Sequence, residues 1–477
     1  MNAFLALSAL ALAVSVSLIF PDVGPAAMIL FAALASVTAL VISRHESESR
    51  FLMRVFVAAA IVRAALGAFI YYFQLQDFFG GDAFTYDYLG TTLTQFWKGE
   101  LSYAYYSETL GIYVARNWGM PYTVGAIYMF VGRNMLAVQL FNAVVGAATA
   151  PVIFLCARHI FHNLRVAKLA TLFVAFFPSL VLWSSQGLKD GPIVFLLAVA
   201  MLATLRLGEE VKVVNIVVLA LSMFAIFSMR FYVFYMVAAS VVGAFVIGMR
   251  PITSQSLGRQ LFVVLALGLA LTYMGVLRPA GAQIEKFGSL QAVQTSRSDL
   301  AQQAKSGFGQ DVDVSTTTGA LTAVPMGLTY LLFAPFPWQL GSLRQSITLP
   351  EMVAWWVSFP LLVLGIWFTL KFRLRQAIPI LIFTTMLTLA YSVFQGNVGT
   401  AYRQRSQILV FYFIFVAVGA VLMLEKRENR KRQRQLEREA AAEAMRAPRP
   451  ARLPTARPLP PAPPPSDVRP ARDVLEV

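Results

Sequence analysis

Cysteine is nearly absent from this chain of 477 residues: Cys156 stands alone, which excludes an intramolecular disulfide and a thiolate metal cluster. Charge is scarce as well. Charged residues make up 13% of the sequence and hydrophobic residues 58%, with a mean hydropathy of +0.65; a soluble domain carries about a quarter charged residues. Histidine is limited to His45, His159 and His162. What the chain has instead is apolar runs of roughly 17 to 23 residues, each long enough to cross a ~30 Å hydrocarbon core as a helix. The alternating ten-residue segments of a membrane β-barrel are missing. The net charge of +15 lies largely in short loops and in the tail. Membrane topology explains it there, and nucleic acid is not an expected partner.

Hydrophobic runs predict an all-α, polytopic membrane protein of about 12 transmembrane helices. They run Asn2 to Phe20, Pro25 to Ser43, Phe51 to Phe73, Met135 to Cys156, Val166 to Trp183, Gly191 to Leu205, Val213 to Phe227, Phe231 to Ile247, Gln260 to Val276, Glu351 to Leu370, Ala377 to Phe394 and Gln407 to Leu424. No basic segment precedes the first, and no small-residue cleavage site precedes Pro21, so it reads as a retained helix rather than a signal peptide. With both termini cytoplasmic, every inside loop is basic, as in Arg158, Arg165 and Lys168 or Lys371, Arg373 and Arg375. A bacterial inner membrane is the expected location. Two apolar stretches, Pro121 to Val131 and Ala323 to Leu340, would invert the later loops if either alone crossed. Both are expected as interfacial or re-entrant helices in two large periplasmic loops.

The expected domains follow from these spans. Residues 1–50 form two additional N-terminal helices. Residues 51–276 form the core, with a first outer loop at 74–134; residues 277–350 form a second outer loop with an interfacial helix; residues 351–424 form the C-terminal spans. Residues 425–477 form a basic, Pro-rich cytoplasmic tail: the opening run of Lys and Arg reads as a basic helix at the anionic lipid surface, and the Pro-rich remainder as extended and disordered.

All three histidines fall in expected cytoplasmic loops, so a general base on the outer face is a carboxylate. The first outer loop offers Asp82 and Asp87, and Tyr86 lies four residues after Asp82, on the same face of a helix. A solvated acid without function fits these residues equally well at this stage. Lys189 and Asp190 occupy a short outer turn, where they are either a phosphate partner or a self-contained surface pair. Arg230, Arg403 and Arg405 are the remaining outer cations; each singly reads as a snorkelling anchor, and together they suit an anionic lipid headgroup. Arg63, near the middle of the third span, calls for a partner, with an acid on a neighbouring helix expected.

A span followed by Asp82 and Tyr86, then Pro121-Tyr122, then the run from Asn142 through Pro178 to Trp183-Ser184 and Lys189-Asp190 resembles the membrane-embedded GT-C glycosyltransferases. The nearest likeness is to the bacterial relatives of protein mannosyltransferases and of lipid A aminoarabinose transferases. It covers roughly Arg63 to Leu205, with Phe336-Pro337-Trp338, Arg403 and Arg405 as later echoes. The resemblance implies transfer of a sugar from a polyprenyl-phosphate donor to a lipid, polysaccharide or protein acceptor on the periplasmic face. Asp82 would then be the catalytic base. Tyr86, Asp87, Lys189, Asp190, Arg230, Arg403 and Arg405 would bind substrate. The family often pairs two acids at the loop aspartate, whereas here Ala83 follows Asp82. A divalent cation, Mg or Mn, is therefore left open as a cofactor, and no metal ligand is assigned.

Two other functions compete. An O-antigen or exopolysaccharide polymerase or ligase shares the span count and the outer arginines, and would not depend on Asp82. A lipid-linked sugar transporter would place acids inside its spans, where only Glu351, at an outer end, is found.

Overall fold

The computed structural model describes residues 3–44, 48–248, 254–276, 278, 281, 283, 288–302 and 306–446. Among them the chain is all helical, with a single isolated bridge between Gly307 and Asn397. It divides into two compact units, Met1–Met423 and Leu424–Val477. Among the described residues, seven helices are long and apolar enough to cross a membrane: Gly24–Ser43, Ser49–Tyr72, Met135–Phe161, Asp190–Glu209, Leu343–Phe372, Leu374–Phe394 and the last helix from Ser406. A bent pair, Leu164–Phe176 with Pro178–Ser184, makes an eighth. The other four expected spans appear as shorter apolar helices of 10–17 residues. At 1.5 Å per residue these fall somewhat short of a ~30 Å core. The chain is a multi-pass membrane protein, with seven or, counting the bent pair, eight helices long and apolar enough to cross among the described residues.

The first unit is organised around Met135–Phe161, which packs against Ser49–Tyr72, Leu164–Phe176, Asp190–Glu209 and Gly24–Ser43. Most of its side chains are buried, and it is apolar all round, as a helix surrounded by other helices should be. The first expected loop is itself folded into helices. Asp82–Trp97 lies against Gly119–Val131, and Gly90 allows the approach, since a Cβ there would fall 2.4 Å from Val124. Thr317–Phe333 packs on Leu374–Phe394.

Three buried arginines end helices whose terminal carbonyls have no water to turn to. The first answers the expectation for Arg63. The residue before a proline avoids helical backbone, and Pro178 has no N–H, so the Leu164–Phe176 helix stops at an extended Phe177 and the pair bends by 54°. Arg63 donates from Nη1 to the Ala175 carbonyl at 2.6 Å, from Nη2 to the Val174 carbonyl at 3.3 Å, and from Nε to Ser184 Oγ at 2.8 Å. Its partners are freed backbone and a hydroxyl, not the acid expected from sequence. Arg297 likewise donates to the carbonyls of Val393 and Gln395 at the end of Leu374–Phe394. Arg405 donates to those of Leu331, Leu332 and Ala334 at the end of Thr317–Phe333. Replacing Arg63 by Met strands carbonyls where each lost partner costs about 1–3 kcal/mol. We expect Arg63→Met to melt several degrees below wild type in detergent; an unchanged melting curve would contradict the capping role.

Two boundaries differ from the sequence reading. The helix expected from Glu351 begins at Leu343, so Leu343 to Pro350 belongs to a helix rather than to the second outer loop. The last helix does not stop near Leu424 but continues to Arg446. The second unit, taken by itself, is helical and exposed over its described part, and the Pro-rich segment expected to be disordered lies outside the described residues.

Candidate active site

A cavity of about 830 Å³ gathers residues from six separate parts of the chain. Asp82 enters at the first turn of its helix. Gly80 and Gly81 precede it with φ of 123° and 32°, a backbone that L side chains rarely adopt, and this pair makes the sharp turn that starts the helix at Asp82. A carboxylate there also faces the positive end of the helix dipole. Lys189 and Asp190 stand at the N-terminus of Asp190–Glu209, Arg230 at the junction of Val213–Met229 and Phe231–Ile247, and Arg403 on the short helix Val398–Gln404.

Arg403 ties the group together. Its Nε donates to Asp190 Oδ2 at 2.6 Å and its Nη1 to Asp82 Oδ2 at 2.7 Å, and its guanidinium lies 5.8 Å from the centre of the Trp183 ring. Asp190 Oδ1 accepts from Arg230 Nη2 at 3.3 Å. The two acids differ sharply in access: the side chain of Asp190 is fully buried, whereas that of Asp82 is 51% exposed. Asp190 is thus the fixed anchor of two guanidiniums, and Asp82 is the acid that incoming molecules meet. One Nη of Arg230 is left without a hydrogen-bond partner among the described residues.

Electrostatics keep the cluster cationic at neutral pH. Burial alone would loosen the proton of Arg403, but Asp190 and Asp82 more than offset this and hold it above its ordinary value. Lys189 goes the other way: burial, followed by the charge of Arg230, pushes its ammonium down to about 8. Tyr86 is buried beneath the group, and burial together with Asp82 keeps its hydroxyl protonated well above the usual phenol range.

Other expected site residues are elsewhere. Asp87 is buried between helices and accepts from Tyr128 Oη at 2.5 Å and from Arg133 Nη2 at 2.6 Å. It fastens Asp82–Trp97 to the chain around Gly119–Val131 instead of facing the cavity. Arg405 directs its two Nη groups to the helix end described above and to Met352 Sδ, and does not line the cavity. Neither residue is among those lining the cavity; both make contacts between helices.

The divalent cation left open by the sequence finds no cluster of three or more His, Cys, Asp or Glu side chains among the described residues. The guanidinium of Arg403 occupies the position between Asp82 and Asp190 that a shared cation would need, and Asp87 is turned away.

Sequence reasoning missed Arg344, which lines the cavity from the first turn of Leu343–Phe372. The signal was available. Ser342-Leu-Arg-Gln345 has the spacing of a helix-capping box, and Ser342 Oγ does accept from the Gln345 amide. Glu351 was noted only as an isolated acid; it accepts from Tyr402 Oη at 2.7 Å and so supports the short helix that carries Arg403.

Residues 111–272 match the model of the family described as dolichyl-phosphate-mannose-protein mannosyltransferase. The match takes in less than half of the chain, includes Lys189, Asp190 and Arg230, and overlaps the stretch that carries the GT-C resemblance, which it supports. Among solved structures, the archaeal oligosaccharyltransferase AglB from Archaeoglobus fulgidus, in complex with an inhibitory peptide and a dolichol-phosphate, aligns over 82% of this chain and 52% of its own. The identity is 13% and the TM-score 0.44; this chain thus spans about half the length of that protein. No curated protein matches.

Proposed function

We propose that the chain is a membrane glycosyltransferase that moves a sugar from a polyprenyl-phosphate donor to an acceptor on the non-cytoplasmic face of a bacterial inner membrane. The observation that carries this reading is one cavity holding an accessible carboxylate, Asp82, beside Lys189, Arg230 and Arg403. Inverting transfer needs a proton acceptor for the attacking hydroxyl and fixed positive charge for the departing phosphate, and little else. The family match, whose name specifies a dolichyl-phosphate-linked mannose and a protein, points to the same donor class.

In the proposed step the acceptor oxygen forms a bond to the anomeric carbon of the donor sugar while its proton passes to Asp82. The bond from that carbon to the phosphate oxygen breaks, and its electron pair leaves with the polyprenyl phosphate. Lys189, Arg230 and Arg403 neutralise that charge. Asp82 is ion-paired to Arg403 before substrate arrives, and a bound phosphate competes for the same guanidinium. Donor binding thereby frees the base. Asp190 remains behind, holding both arginines in place as the phosphate enters.

Lys189 gives this account a pH signature. Its ammonium form is the one that attracts phosphate, and that form is present below about 8 and lost as the pH rises through it. Affinity for polyprenyl phosphate should fall several-fold between about pH 7 and about pH 9, with the midpoint shifted upward because the bound anion favours the charged amine. Lys189→Arg should flatten the curve. Binding independent of pH in wild type would remove Lys189 from the phosphate site. Activity that requires the arginines but not Asp82 would favour the polymerase or ligase reading instead.

A further inference from the structure

Arg344 stands apart from the inner cations in three ways. Arg230 and Arg403 are clamped by Asp190 and Asp82, whereas the described contact of Arg344 is with an aromatic face, its guanidinium lying 5.2 Å from the centre of the Phe78 ring. Phe78 lies just before the turn that delivers Asp82, so this contact joins two walls of the cavity. Its flanks are apolar and open: Leu343 is 69% exposed and Ile347 57%, four residues apart on one face of the helix. Trp338, stacked on Phe336, is exposed just before them. Finally, the helix that Arg344 begins is 30 residues long and apolar enough to span a bilayer, and its first turn adds the positive end of a dipole beside the cavity.

A cation without a carboxylate partner among the described residues, lining the cavity and edged by apolar side chains, suits an anion carried on an apolar tail. We infer that Arg344 is the receiving site for a lipid-borne phosphate at the membrane edge of the cavity. It takes the phosphate of the polyprenyl carrier as it arrives from the bilayer, while the chain's first isoprene units lie along Leu343 and Ile347. The inner cations then take the phosphate over for the transfer step. This inference rests on the lipid-phosphate donor proposed above, but it assigns a different residue and a different step. Loss of Arg344 therefore weakens loading of the carrier without touching the proton transfer at Asp82. The conservative Arg344→Lys, which keeps the charge, retains most of the function. An arginine that merely anchors its helix by snorkelling would show neither effect.

The test is retention of polyprenyl phosphate by the full-length protein in nanodiscs of zwitterionic lipid, counted by native mass spectrometry. Wild type, Arg344→Gln, Arg344→Lys and Asp82→Asn are compared, with polyprenol and phosphatidate as second and third probes. We expect Arg344→Gln to lower retention of polyprenyl phosphate about tenfold, while Arg344→Lys stays near wild type and Asp82→Asn, which removes the carboxylate that competes for Arg403, retains it at least as well as wild type. Polyprenol should be retained weakly and equally by all four. Equal retention by wild type and Arg344→Gln overturns the inference and leaves the proposed transferase untouched. Arg344-dependent retention of phosphatidate to the same degree also overturns it, by making the residue a general lipid anchor. If Arg344 governs retention but Asp82→Asn keeps full transferase activity, the receiving site stands and the proposed base falls.

Discussion

Asp82→Asn is expected to lower the rate of sugar transfer by roughly a thousandfold, within the 10²–10⁴ that a positioned general base contributes, without weakening binding of the lipid donor. The size of the effect follows from the geometry. Asn keeps the shape of Asp and still offers Oδ1 to Arg403, so the guanidinium held at 2.7 Å has no reason to leave its place. What is lost is the ability to accept a proton. The side chain is half exposed, so the substitution leaves no stranded buried group and the protein should reach the membrane at normal levels. Single-turnover transfer in purified membranes separates this from a folding defect. A thousandfold loss with intact donor binding places Asp82 in the chemistry, and a variant as fast as wild type removes it.

Asp190→Ala is expected to act on stability first. Asp190 is completely buried and is the only carboxylate in the described structure bonded to two guanidiniums, those of Arg403 and Arg230. Removing it leaves two cations in a low-dielectric site without their countercharge. Breaking a buried pair in this way costs about 3–5 kcal/mol, much more than an exposed pair is worth. The variant should accumulate poorly and melt well below wild type. Removing one of the stranded cations as well, in Asp190→Ala combined with Arg230→Met, should recover part of the loss, and that recovery is the sign of charge coupling rather than of lost packing. Equal melting of wild type and Asp190→Ala would contradict the anchoring role.

Much of the architecture could be read from the apolar runs, because a bilayer imposes a length on any helix that crosses it. The break at Pro178 could also have been read. It was drawn as one span because hydropathy averages over a proline that backbone geometry cannot ignore. The inner site was legible as residue types, since Asp82, Lys189, Asp190, Arg230 and Arg403 were all singled out and do meet in one place. Direction was harder. Asp87 is five residues from Asp82, about 140° around a helix, and therefore faces the neighbouring helix and not the cavity. Arg405 is two residues from Arg403, about 200° around, and so points into the bundle, where the carbonyls at the end of Thr317–Phe333 take it. Arg344 was missed for another reason. A search for apolar windows starts a helix where charge ends, whereas this helix starts two turns earlier at a capping box. The partners of Arg63 could not be read at all, because backbone carbonyls freed by a bend leave no residue type to recognise.

The central claim is that Asp82 and the three cations around it transfer a lipid-linked sugar. Its most direct test is a mass profile of outer-leaflet glycolipids and surface polysaccharide in cells lacking this chain, complemented by wild type or by Asp82→Asn at equal membrane levels. The account predicts that one sugar disappears from one acceptor when the chain is removed, returns with wild type and does not return with Asp82→Asn. Full restoration by Asp82→Asn, or profiles that are identical with and without the chain, would contradict it.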